Sequence, residues 1–351
     1  MPYITYTPDC ESKCPHSPDV GERNIAENGF AAGWAPHGKP QTPYWFDCHI
    51  HSVAKPGDDI LATIQPDLAL LADQEVERAF VMIELNGPKW KRKPAAAGVM
   101  DQFASFTIDQ AVEATRTLVE DGRHVWAPYL HYLNADAELV GLAAQAGARG
   151  VKIHNAPQIE EAAPADVWLG ADWQAAFGAM ADCKLPVLWH VTQRLPNNAY
   201  TGGGRNTYWT KGWENGVTYG NEELLQVFLR CLERNPGVPF IGAHQLHIGW
   251  ERLDRLFTGH PNLYVDTTVG CTLKEHDTFY PADKEFLRAV FIKWADRILY
   301  GTDGFWGHGR SHADSHVRHM RFVQHLDLPG DVLNKIAHGN TERLLKLENL
   351  L

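Results

Sequence analysis

From about residue 44 onward, short apolar runs alternate with longer stretches of helical periodicity, the pattern of βαβ units feeding a parallel sheet. Eight runs read as strands, at 44–50, 78–84, 124–130, 150–154, 185–190, 239–243, 262–266 and 297–300. Between them, 108–120 sets Ala111, Ala114, Thr115 and Leu118 on one side at helical spacing, and 135–145, 172–182, 222–234 and 283–295 are similarly amphipathic. Several stretches end at a Gly or Pro stop, as at Ala146-Gly147, Leu185-Pro186 and Asn235-Pro236-Gly237. Eight strands with intervening helices predict an α/β fold, a closed (β/α)8 TIM barrel. An open doubly wound sheet is the runner-up, but no G-x-G-x-x-G follows the first strand to serve a dinucleotide.

Two segments fall outside this alternation. Residues 1–43 carry Pro, Gly, Ser and Asn with little periodicity and read as an irregular N-terminal extension, which leaves 44–351 as the barrel domain. Residues 191–220 hold four glycines before Trp213 and show no helical period, so a long loop is expected after strand five. Loops of that length in compact domains usually carry function. A barrel takes about 250 residues, and these two segments hold most of the excess in a chain of 351.

Composition removes several function classes. Asp and Glu outnumber Lys and Arg by 43 to 32, a net charge of −11, which opposes a role in gripping nucleic-acid backbones. Hydrophobic residues make up 44% and charged ones 21%, enough apolar material for a sizeable core. No window reaches the roughly 18–20 apolar residues that span a bilayer. Residues 1–14 lack the basic start and apolar run of a secretion signal, so a cytoplasmic protein with no membrane partner is expected. The cysteines (Cys10, Cys14, Cys48, Cys183, Cys231, Cys271) are too scattered for a disulfide framework, and only Cys10 and Cys14 are close enough to be half of a zinc site. The unusual feature is 18 histidines beside 12 tryptophans, because histidine is the commonest metal ligand.

Barrel active sites are built at the carboxyl ends of the strands. Strand one ends in Asp47-Cys48-His49-Ile50-His51, and the two-residue period sets His49 and His51 on one face, about 7 Å apart along the strand. Strand five closes on His190, strand six on His244, and strand eight runs into Gly301-Thr302-Asp303. Apolar runs that terminate in a polar side chain need a partner for it, and one metal ion partners several at once; separate hydrogen bonds are the plainer alternative. His312, His316 and His319 are near helical spacing and read as one polar helix face.

Taken in order, these motifs resemble the amidohydrolase superfamily, in the branch of amidohydrolase-related proteins that includes aminocarboxymuconate-semialdehyde decarboxylase. The resemblance spans roughly 44–350. It rests on His49-x-His51, Gly150-Val-Lys-Ile-His154, His190, His244, the stretch from His260 to Thr268, Gly301-Thr-Asp303 and Gly339-Asn-Thr-Glu-Arg-Leu. It implies one divalent ion, zinc first and manganese second, held by His49, His51, His190 and Asp303, with a second metal not expected. His244 would be the catalytic electrophile or proton carrier beside the ion, and Asp303 would also hold or accept a proton of the water. Three imidazoles and one carboxylate suit such an ion and leave a position open. Lys152 and His154 are candidates for a second-metal or substrate contact. His247 departs from the glycine-rich turn that commonly follows the strand-six histidine. The resemblance also implies a homo-oligomer, most simply a dimer.

Rim segments mix aromatics with arginine (Trp90, Arg194, Arg205, Tyr208, Trp209, Trp213, Phe305, Trp306, Arg310), which suits a small cyclic or unsaturated carboxylate. Arg194 and Trp306 are the first candidates, since each is within four residues of an expected ligand. The reading is a metal-dependent hydrolase that opens a lactone, amide or related bond with metal-activated water. The alternative is a metal-dependent non-oxidative decarboxylase of an aromatic or muconate-type acid. A lesser alternative from another class is a non-catalytic barrel with a vestigial metal site.

Overall fold

The computed structural model describes residues 44–71, 75–87, 104–192, 207–268, 284–307, 320, 323–324 and 326–347. The extension 1–43 with Cys10 and Cys14, and the positions Trp90, Arg194, Arg205, Cys271, Arg310, His312, His316 and His319, lie outside the described residues. All eight residues of β1 (Trp45–Ser52) are buried, as befits a parallel strand covered on both sides. It pairs with β2 (Val76–Leu85), and the sheet continues in chain order through β3 (Val125–Leu130), β4 (Val151–His154), β5 (Val187–His190), β6 (Phe240–Gly242), β7 (Leu263–Asp266) and β8 (Ile298–Leu299), every neighbour parallel. These are the eight strands expected from the apolar runs, displaced by at most two residues at any end. A two-residue strand, Ser105–Phe106, extends β2 beyond them.

The ring closes in an unexpected way. The last expected strand, 297–300, stops at Leu299, and a further short strand outside the expected runs, β9 (Gly304–Trp306), pairs with β1 through Ile50↔Gly304, His51↔Phe305 and Ser52↔Trp306. Across the break the Cys48 N–H donates to the Tyr300 carbonyl at 3.0 Å. The strand is interrupted because Asp47 captures the turn: its carboxylate accepts from Thr302 N at 3.1 Å and from Thr302 Oγ1 at 2.6 Å. Asp303 then adopts a left-handed backbone, φ 59°, which Asp tolerates better than most residues.

The strand faces are sorted by the two-residue period. Phe46 and Cys48, Phe80 and Met82, and Val125 and Ala127 point into the barrel with Leu188, Ile241 and Leu299, capped by Leu344, Leu345 and Leu347 of the chain's last turns. The alternate residues pack outward against helices in a larger apolar layer, the two-layer arrangement of a filled barrel.

Helices form at the five amphipathic stretches expected, and one more, outside them, precedes them. α1 (Ile60–Leu71) follows β1. α2 (Ile108–Asp121) buries Ala111, Ala114, Thr115 and Leu118; Thr107 and Gln110 form a capping box, and Gly122 ends it at φ 69°. α3 (Ala137–Gln145) and α4 (Ala171–Cys183) follow.

The segment expected to be wholly irregular after strand five contains a helix, α5 (Thr207–Glu214). Eight residues carry too short a period to read. The helix is held by tertiary contact: Trp209 is fully buried, and a Cβ at Gly212 would lie 2.8 Å from the Ile159 carbonyl oxygen. Among the described residues Cys48, Cys183 and Cys231 are free thiols, and no helix is long and apolar enough to cross a membrane.

Candidate metal centre

His49 and His51 leave β1 at its carboxyl end, next to an irregularity in the β1–β2 register between Asp47 and Ile50. Such bulges re-aim side chains. Their rings lie 5.3 Å apart and both are buried. Asp47 fixes this strand end to the strand-eight turn, since the carboxylate that binds Thr302 also accepts from His49 N at 2.9 Å. Asp303 Oδ1 is consequently 3.2 Å from both His49 Nε2 and His51 Nε2. One ligand atom from each of His49, His51 and Asp303 lies within 4.8 Å of the others.

His190 stands one ring away from that group. Its Nδ1 is 3.2 Å from His244 Nε2, its ring centroid is 4.2 Å from that of His244 and 4.1 Å from that of His154, and its Nε2 is buried without a hydrogen-bond partner among the described residues. His244 Nε2 is in turn 3.8 Å from Asp303 Oδ2. Lys152, fully buried on β4, places Nζ 2.8 Å from His49 Nε2. His154 accepts the Ala156 N–H on Nδ1 at 2.8 Å, so its neutral ring carries the proton on Nε2 as a donor.

The segment that presents His244 is strained. His244, Gln245, Leu246 and His247 take φ of 58°, 51°, 56° and 53° in succession, with no glycine among them. Left-handed residues cost roughly 1–2 kcal/mol each, and side-chain hydrogen bonds offset this. Asp266 Oδ1 accepts from His244 N at 2.8 Å, Gln245 Nε2 donates to the carbonyls of Asp266 (2.6 Å) and Thr268 (2.9 Å), and Thr192 Oγ1 donates to Leu246 O at 2.6 Å. The preceding Gly242 is needed because a Cβ there would lie 2.6 Å from Leu246 Cδ2. His247 stacks on His244 at 4.9 Å with its Nδ1 3.3 Å from the Thr192 carbonyl.

Burial governs the charge states. Desolvation holds the His154, His190 and His244 imidazoles well below their ordinary value and brings His51 down to about 4. It lowers Lys152 to about 8, although Asp303 and Asp266 pull the other way, and raises Asp47 to about 8. For Asp303 burial acts upward, but the imidazoles of His49, His51 and His244 outweigh it and keep the carboxyl well below the usual range.

Residues 46–347 match the family model described as Amidohydrolase. The chain belongs to the amidohydrolase family. No curated protein sequence matches this amidohydrolase significantly. Solved structures resemble it in fold. A probable 2-pyrone-4,6-dicarboxylic acid hydrolase from Acinetobacter baumannii is 13% identical with a TM-score of 0.52, covering 86% of this chain and 99% of its own. Dihydroorotase from Campylobacter jejuni is 14% identical at 0.52, over 87% and 84%. A 5-carboxyvanillate decarboxylase from Novosphingobium aromaticivorans, complexed with manganese and a nitrobenzoic acid, is 12% identical at 0.51, over 88% and 100%. The family match makes this an enzyme of the amidohydrolase type, and the likeness to the solved structures is one of fold.

Among the sequence candidates, Trp306 is fully buried in the core, and its neighbour Phe305 is the residue that stacks on His51, at 5.4 Å and 19°. Tyr208 approaches His154 edge-on at 6.0 Å. Two residues with no assigned role from sequence contact the site: Asp266, whose Oδ2 is 2.8 Å from His49 Nδ1, and Thr268, whose Oγ1 is 2.7 Å from His244 Nδ1. An Asp closing an apolar strand was the available signal for Asp266. Nothing in the local pattern marks Thr268.

Proposed function

We propose that this amidohydrolase is a metal-dependent hydrolase that opens a lactone, amide or related bond in a small carboxylate-bearing substrate. The donor set fits one divalent ion, with zinc first and manganese second. His49, His51 and Asp303 converge, His49 has a carboxylate behind its other nitrogen in the manner of ligating histidines, and His190 offers an orphaned buried nitrogen as a fourth ligand. Such an ion, when bound, polarises a substrate oxygen and acidifies water.

The observation that supports hydrolysis over decarboxylation is that a carboxylate and an imidazole face each other across the site, Asp303 Oδ2 lying 3.8 Å from His244 Nε2 beside the converging atoms of His49, His51 and Asp303. Hydrolysis needs an acceptor for a proton of water and a group that hands it to the leaving atom, whereas decarboxylation needs only a donor that delivers a proton to carbon. Asp303 takes the proton and His244 Nε2, at 3.8 Å, passes it to the leaving oxygen or nitrogen as the bond to the carbonyl carbon breaks. Of the two roles open to His244 from sequence, this supports proton carrier. The Lys152 ammonium and the His154 Nε2–H supply a cation and a donor for the substrate carboxylate.

A second reading, decarboxylation of an aromatic or muconate-type acid, draws support from the ring faces of Phe305 and Tyr208. Zinc- or manganese-loaded protein screened on lactones, cyclic amides and aromatic carboxylates in 18O-water separates the two. Incorporation of 18O without gas release is expected, and carbon dioxide release without 18O incorporation overturns the hydrolase reading.

A further inference from the structure

Asp266 is fully buried at the end of β7 and collects four contacts on one carboxylate. Oδ2 lies 2.8 Å from His49 Nδ1, and Oδ1 lies 2.8 Å from His244 N, 3.2 Å from Thr268 N and 2.8 Å from Thr268 Oγ1. A carboxylate only accepts, so every contact fixes a proton on the other partner. His49 therefore carries its proton on Nδ1 and turns a lone pair on Nε2 towards Asp303 and His51.

The Thr268 hydroxyl has one proton and spends it on Asp266. Its oxygen can then only accept, which makes the 2.7 Å contact to His244 an Nδ1–H donated to Thr268. The reverse arrangement, with Thr268 donating to the imidazole, would set two bare acceptors, Thr268 Oγ1 and Asp266 Oδ1, against each other at 2.8 Å. Neutral His244 consequently presents its lone pair on Nε2, the nitrogen that faces His190 Nδ1 at 3.2 Å and Asp303 Oδ2 at 3.8 Å.

We propose that Asp266 and Thr268 are a positioning pair: one buried carboxylate orients His49 for the ion and, through the Thr268 hydroxyl, sets the tautomer of His244. This rests on the metal-dependent reading for its first half and on hydrogen-bond geometry alone for its second. Both residues are fully buried behind the imidazoles they orient. Their shared carboxylate links a ligand on strand one to the proton carrier on strand six, so ion affinity and proton placement depend on a single group.

The test uses the full chain in wild-type form and as Asp266→Asn, Thr268→Val and Thr268→Ser. Zinc affinity is read by competition with a chromophoric chelator. The His244 tautomer is read in the metal-free protein from 15N–1H spectra of labelled imidazoles, with the resonance assigned by its loss in His244→Gln. Asp266→Asn is expected to weaken zinc about 10–100-fold, the usual effect of removing a partner behind a ligating histidine. Thr268→Val is expected to leave zinc affinity near that of wild type while His244 loses its Nδ1-protonated form, and Thr268→Ser, which keeps the hydroxyl, is expected to restore that form. A purely structural role for Thr268 would move neither tautomer nor rescue.

The proposal is overturned if Asp266→Asn binds zinc as wild type does, or if His244 carries its proton on Nε2 in the wild-type protein. Failure of wild-type protein to take up zinc would instead refute the metal-dependent reading and with it the His49 half. The spectra would still decide the His244 half.

Discussion

Acid sensitivity of this barrel should reside partly in His124, far from the candidate metal centre. The ring is 2% exposed just before β3 and accepts the Ala79 N–H on Nδ1 at 3.2 Å. Protonation would charge a buried ring and cost the backbone its acceptor. Burial, with smaller contributions from the Arg123 and Arg78 guanidiniums and against the pull of Asp121, brings its pKa from 6.5 down to about 4. Between those values the unfolded chain binds the proton and the folded chain does not, so stability falls as pH falls through this window. The full difference corresponds to about 3 kcal/mol below pH 4, of which about 2 kcal/mol is lost between pH 7 and pH 5. His124→Asn keeps an acceptor oxygen where Nδ1 stands and removes the titration. Urea unfolding of both proteins at pH 7 and pH 5 should show wild type losing about 2 kcal/mol more than the variant over that interval. Parallel losses would refute the assignment, because the other buried histidines are common to both proteins.

Zinc at 100 times its dissociation constant should add about 2.7 kcal/mol to the unfolding free energy, read as a raised melting temperature that a chelator reverses. His49→Asn should abolish the gain and His260→Asn should keep it, and an equal gain in both variants would place the ion elsewhere. Lys152→Met should tighten zinc by about tenfold or more, since an ammonium 2.8 Å from His49 Nε2 repels a cation held there; weaker binding would mean that the lysine side chain helps to hold the ion. Gly150→Ala should cost about 1–3 kcal/mol in urea unfolding, because its Cβ would lie 2.6 Å from Phe80 Cζ and 3.0 Å from the Pro186 carbonyl oxygen. A neutral result would show that the β4 entrance relaxes freely.

The strand ends were legible because burial leaves a local mark. The apolar runs of β1, β5 and β6 stop at His51, His190 and just before His244, and the two-residue period set His49 beside His51 before any fold was known. Helix α2 was equally legible, with a capping residue, a buried stripe and a glycine stop in one window. The helix at Thr207–Glu214 was not, since its stability comes from Trp209 and Gly212 packing against distant residues.

The sequence by itself determined the barrel, the order of its strands and most of the side chains gathered at its carboxyl end, because periodicity records which face of each element is buried. Only the tertiary structure decided how those side chains pair. His49 and Asp266 are 217 positions apart, and Asp47 and Thr302 are 255 apart. Local pattern carries no information about a partner at that distance. Closure of the ring brings Asp266 behind His49, interrupts the last strand to aim Asp303, and bends the chain after β6 so that His244 faces both.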